Sequence, residues 1–182
     1  MTLANIIALK DFILSKNSYL SDGYANVFKD EATGQIIGYH GDDIISIFPD
    51  DTNGNYFYMR NEEIKFTQVP GERITDNGAQ RNMFIDNLSI VLIAIVAKAD
   101  AFTLMNNLRN TMAMFTGMDI TPTGGSFNRE NIVIGELRGS KPEDIRTTLQ
   151  NLNNQTIIKL NITAQQYYQP NTCIYDCLNP CI

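Results

Sequence analysis

The 182-residue sequence predicts an α+β fold. Its expected form is a mixed, mainly antiparallel sheet with a long central strand and three helices packed on it. Three observations lead there. Five of the nine residues from Ser89 to Ala97 are β-branched Ile or Val, which suits a pleated strand better than a helix. Residues 3–20, 102–115 and 140–152 each carry apolar side chains at helical spacing. Between residues 21 and 80, short apolar segments alternate with turn residues.

Taken in order, residues 3–20 predict the first helix, with Ile6, Leu9, Ile13 and Leu20 near one face and Lys10 and Lys16 turned away. Tyr24–Lys29 is expected to pair with Gln35–Tyr39 around the turn 30–34. Ile44–Phe48 and Tyr56–Arg60 flank residues 49–55, whose Asn53-Gly54 dipeptide is a strong hairpin signal. Ile64, Phe66 and Gln68 alternate in a further strand that should end at Pro70-Gly71. Residues 70–80 hold two turn signals and little apolar content, and predict a mobile loop available to a neighbour.

The long strand is expected to start near Met83 and run to Ala97, about 50 Å at about 3.3 Å per residue. Asp100 then caps a helix with Phe102, Met105, Leu108, Met112 and Phe115 on one face. Residues 116–129 read as a loop, and Glu130–Leu137 as a strand with Ile132 and Ile134 on one side. Ser140, Pro142 and Glu143 fit a capping box opening a helix that buries Ile145, Leu149 and Leu152. Thr156–Tyr168 closes the sheet, with Ile158, Leu160, Ile162 and Ala164 alternating against polar neighbours. Residues 1–168 thus form one domain. Residues 169–182 form an irregular cysteine-containing tail.

A net charge of −6, with 14 scattered basic residues, argues against a protein whose main partner is nucleic acid, because phosphate neutralisation needs clustered Lys and Arg. The N-terminus lacks the basic region of a secretory leader, and residues 88–97 are too few to span a bilayer. The chain is therefore expected to be soluble and intracellular, with no membrane partner. Its polar content leans on Asn, Thr and Gln rather than on charge, as in surfaces that end up inside assemblies.

Each chemical motif has a plainer explanation beside it. Cys173, Cys177 and Cys181 have a spacing open to a metal site or to one disulfide with an odd thiol. Free thiols in a tail also account for it, and no metal is assigned. Asp51-Thr52-Asn53-Gly54-Asn55 with Glu62 partly imitates a calcium loop, but its glycine is misplaced and its flanks look like strands. Gly124-Gly125-Ser126 lacks the Gly-Lys-Ser/Thr of a phosphate loop. His40 beside Asp42 and Asp43 has no second histidine and no nucleophile in a suitable context, so a solvated turn explains it. Met105, Met112 and Met114 fit core or interface packing. No catalytic residue and no cofactor is expected. Tyr167 and Tyr168, at the end of the last strand, are the candidate interface anchors, with core packing as the other explanation.

The order helix, short β pieces, long strand, helix, strand, capped helix and closing strand resembles the tail-terminator and neck-ring (head–tail connector) proteins of tailed bacteriophages. Asn87–Phe115 and Ile132–Tyr168 carry the likeness. The polar composition and cysteine tail would suit a crAss-like phage. The resemblance implies a mixed sheet with helices on one face, and a structural virion protein without enzymatic activity. It implies a homo-oligomeric ring that contacts portal and other neck or tail proteins and surrounds passing DNA without reading its sequence. A small binding or host-interaction module and an uncharacterised enzyme are the alternatives.

Overall fold

The computed structural model describes residues 3–30, 32–40, 43–48, 55–76 and 79–168. Within them the elements are α1 (Leu3–Lys16), β1 (Asp22–Lys29), β2 (Ile36–His40), β3 (Asp43–Phe48), β4 (Tyr56–Asp76) and β5 (Ala79–Ala97). These are followed by α2 (Ala101–Ala113), β6 (Asp119–Ser126), α3 (Arg129–Glu136), α4 (Pro142–Asn151), a 3₁₀ turn at Leu152–Asn154 and β7 (Gln155–Tyr168). The seven strands form one sheet in the order β3-β2-β1-β4-β5-β7-β6. Every pairing is antiparallel except β1 with β4. The fold is α+β with a mixed, mainly antiparallel sheet, and it carries four helices rather than three.

β5 is the predicted long central strand, and it explains the unbroken apolar run. It pairs with β4 on one side and with β7 on the other. Both of its faces are covered, so Ile90 to Val96 are all buried and alternation is lost. Tyr56–Met59 at the start of β4 are fully buried for the same reason.

Two cores result, one on each face. On the first, Ile6, Leu9 and Ile13 of α1 and Leu104, Leu108 and Met112 of α2 meet Phe57, Met59, Leu88, Leu92, Ile158 and Leu160. On the second, Ile132, Val133 and Leu137, from α3 and its C-cap, join Leu152, Tyr58, Ile93 and Ile157. Helices therefore lie on both faces, unlike the one-faced arrangement the resemblance implies.

The sheet also curls. β3 is separated from β4 by two strands, yet the Tyr56 hydroxyl donates to the Ile47 carbonyl at 3.0 Å, and the Phe48 and Tyr58 rings lie 6.0 Å apart. Gly38 leaves room for the Ile47 side chain, since a Cβ there would come within 2.5 Å of Ile47 Cδ1.

Several local expectations need correction. β3 and β4 are not a hairpin: β3 pairs with β2, and β4 pairs with β1 and β5. Residues 49–54 lie outside the described residues. Residues 70–80 are not a free loop. They belong to the β4–β5 hairpin, where Asp76 pairs with Ala79 and only Asn77 and Gly78 intervene. Pro70 falls at the register shift between Gln68 and Arg73, where a missing backbone donor is tolerated.

The predicted loop 116–129 contains β6, an edge strand whose Pro122 sits beside a register shift. Glu130–Leu137 is helical, not extended. Asn128 caps α3 by accepting from the Asn131 amide at 3.0 Å, and Ile132 and Val133 turn inward together. α4 has Lys141 at its N-cap without a side-chain bond, so Ser140 does not close a capping box, although Pro142 does open the helix. Phe102 is 66 % exposed, and Leu104 takes its expected place in the core.

Two polar clusters fasten these layers. The Asn55 side chain donates to the Tyr19 carbonyl (2.9 Å) and accepts from the Ala97 amide (2.8 Å), tying the start of β4 to the end of β5 and to the α1–β1 connection. Glu136, at the end of α3, is buried against the sheet. It accepts from Arg60 Nη2 (3.1 Å) and the Tyr58 hydroxyl (3.3 Å), with Lys159 Nζ at 3.8 Å.

Candidate assembly interface

β4 enters the body as an apolar strand and leaves it as a polar one. Its last pair with β1 is Arg60 with Val27. After a register shift at Asn61–Glu63, β4 continues to Asp76 paired, among the described residues, with β5 alone. Sixteen further residues would extend about 50 Å at about 3.3 Å per residue. β7 accompanies β5 only as far as the pair Phe84–Tyr168. Among the described residues, the distal part, Arg73–Asp76 against Ala79–Asn82, is a two-stranded ribbon.

This arm has a bare edge and an apolar stripe. From Asn61 onward no described strand occupies the outer side of β4, so its backbone donors and acceptors on that side face outward. Ile64 and Phe66 are 51 % and 72 % exposed. They stand opposite Leu88 and Asp86 in register, so they continue the face that α1 and α2 cover further back.

On the opposite face the surface is polar, with the exposed Glu63–Lys65 ion pair (2.9 Å) beside a row of amides and a hydroxyl. The Gln165 amide donates to Asn87 Oδ1 (2.7 Å), and Asn87 Nδ2 donates to Thr67 Oγ1 (3.2 Å), a row spanning β7, β5 and β4. Asn5 of α1 donates to Gln166 Oε1 at 2.6 Å and pins the helix to β7 at the base of the arm. This row and the three-strand backing hold the first half of the arm in line with the sheet.

Tyr167 and Tyr168 are the last two residues of β7, paired through the backbone with Ile85 and Phe84. The structure therefore brings them to the root of the arm. Ile64, Phe66 and the β4 edge are not among the candidate interface residues read from the sequence. Two signals in the sequence could have found them: the apolar alternation that continues beyond the buried Tyr56–Met59, and the Asn77-Gly78 dipeptide, a hairpin signal in the sequence.

Among the described residues, the other motif positions gather no common site. His40 pairs with Asp43 between β2 and β3, and Asp42 lies outside the described residues. Gly124–Ser126 belong to edge strand β6. Met112 is core, Met105 is partly buried against it, and Met114 is 56 % exposed. Residues 51–54 and all three cysteines lie outside the described residues. Among the described residues, no group of three or more His, Cys, Asp or Glu could hold a metal, and no helix is long and apolar enough to cross a membrane.

An unpaired strand edge beside an exposed aromatic residue is suited to pairing with another chain. No protein-family model matches the chain, and no curated protein matches its sequence.

Proposed function

We propose that this chain is a structural virion protein that forms a homo-oligomeric ring at a phage head–tail junction. There it would join portal to tail and surround the DNA channel without performing chemistry. Its partners would be further copies of itself, the portal and other neck or tail proteins. It would be assembled in the host cytoplasm and incorporated into the virion.

The observation that carries this reading is the β4–β5 arm. A hairpin that projects beyond the covered sheet, with an unpaired edge and exposed Ile64 and Phe66, suits contact with a neighbouring subunit better than a monomer's surface. A ring needs two different surfaces meeting head to tail, and the arm supplies one that is distinct from the rest of the body. The net charge of −6 is compatible with duplex DNA passing without adhesion.

The test is negative-stain electron microscopy of the purified protein at high concentration, with and without a cross-linker. Rings of uniform diameter with an open centre are the expected result. Compact monomers under both conditions, and again when the protein is mixed with portal complexes, would overturn the proposal.

A further inference from the structure

A second feature lies away from the arm's edge and does not depend on the assembly proposal. On the sheet face opposite α1 and α2, the surface beyond the end of α3 forms a groove of about 480 Å³. β4, β5, β7 and β6 build its floor, and Gly135 and Glu136 of α3 close one end. Its size is within the range of small-molecule sites.

The groove has a surplus of hydrogen-bond donors. The Glu136 carboxylate is buried and already surrounded by Arg60, Tyr58 and Lys159, so it offers a ligand nothing. Glu62 is held by Arg60 Nη2 at 2.8 Å, and Glu63, opposite Ser89, is held by Lys65 Nζ at 2.9 Å, so both carboxylates at the mouth are paired. Lys159 differs. Its ammonium is 3.8 Å from Glu136, beyond hydrogen-bond distance, and its side chain is 29 % exposed. Arg60 Nε is buried and has no acceptor among the described residues.

Lys159, Asn161 and Thr163 follow one another on the same face of β7, two residues apart, and Ser89 pairs directly with Thr163. That spacing sets three polar side chains roughly 6–7 Å apart along the groove. A cation at one end with an amide and two hydroxyls beyond it matches a ligand with an oxyanion and further acceptors.

We infer that this groove binds a small hydroxylated molecule carrying one oxyanion, a carboxylate or a phosphate. The oxyanion meets the Lys159 ammonium, and the hydroxyl groups meet Asn161, Thr163 and Ser89. The local charges balance, so recognition rests on direct hydrogen bonds rather than on a broad positive field. Chloride therefore does not substitute.

The test is an amide and side-chain NMR titration of the full chain at fixed ionic strength. The probes are gluconate for the carboxylate class, glycerol 3-phosphate for the phosphate class, and chloride as control. Saturable shifts confined to Ser89, Lys159, Asn161 and Thr163 are expected with at least one of the two probes, and the probe that gives them names the class. Lys159→Gln should weaken that binding on the order of tenfold, the effect of losing one charged hydrogen bond. Because Lys159 also lies beside Glu136, the double variant S89A/T163V provides a check that leaves the ion cluster intact, and several-fold weaker binding is expected. The inference is overturned if neither probe gives saturable shifts, if chloride gives the same shifts, or if binding survives unchanged in the folded variants.

Discussion

Arg60 and Glu136 meet at 3.1 Å where the covered part of the sheet gives way to the arm. Arg60 is the last residue of β4 to pair with β1, and Glu136 ends α3. The contact fixes the layer of α3 to the strand from which the arm departs. Glu136 is 1 % exposed, whereas Arg60 keeps a second carboxylate in Glu62 at 2.8 Å. Glu136→Ala should cost about 1–3 kcal/mol in urea unfolding, because the buried Tyr58 hydroxyl loses its acceptor while Arg60 keeps Glu62. Glu136→Gln should cost less because it keeps an acceptor for Arg60. Glu136→Leu combined with Arg60→Met should recover most of the loss, which a double-mutant cycle would measure.

Alkaline pH should weaken the fold through two phenols. Burial, reinforced by the charge of Glu136, holds Tyr58 well above the ordinary 10.0, and burial pushes Tyr19 up to about 12. A folded-state value above the unfolded one means the unfolded chain ionises first. The stabilisation is complete below pH 10.0 and declines as pH rises past it towards the folded values. The urea midpoint should therefore fall above that pH, and Tyr58→Phe should make the fall shallower. An unchanged slope in that variant would remove Tyr58 as a source.

Phe66 is an exposed side chain on the arm, so its loss should separate folding from assembly. Phe66→Ser should change unfolding free energy by less than about 0.5 kcal/mol. The same substitution should reduce or abolish cross-linked oligomers in light scattering and electron microscopy. A large loss of stability would instead mean that Phe66 packs within its own chain.

Asn55 joins three chain segments with one side chain, and alanine offers none of its bonds. Asn55→Ala should cost about 1–3 kcal/mol, because the Tyr19 carbonyl and the Ala97 amide lose their partner together. Hydrogen exchange at Ala97 should accelerate relative to Leu92, which lies deeper in the same strand.

Much of the fold was legible because its strongest signals are local. The Ile/Val run of β5, the Ile6–Leu9–Ile13 spacing of α1, the Asp100 cap and the alternation of β7 all describe what the structure contains. The failures have physical causes. Ile132-Val133-Ile134 has strand composition, but Asn128 supplies an N-cap and only the first two residues face the core, so capping and packing outweigh propensity. Asn53-Gly54 and Asn77-Gly78 are equal hairpin signals over a few residues. The pairing partners of β3 and β4 decide between them, and those partners are distant in sequence. β6 was hidden because Pro122, Gly124 and Gly125 mark an edge strand as well as a loop. The candidate site was half legible. Tyr167 and Tyr168 fall at the root of the arm, but the arm itself emerges from how far β1 and β7 follow their neighbours.

The strand order carries a consequence for biosynthesis. β4 and β5 are consecutive and can zip together early, but the second side of β5 waits for β7, which lies beyond α2, β6, α3 and α4. Pairings between such distant segments form slowly. During that interval the Ile90–Val96 segment is an uncovered apolar β-strand of the kind that nucleates aggregates. A nascent or truncated chain that stops before Gln155 should therefore depend on chaperones and accumulate in inclusion bodies. The final 14 residues of the sheet, Gln155–Tyr168, turn that exposed edge into an interior strand paired on both sides.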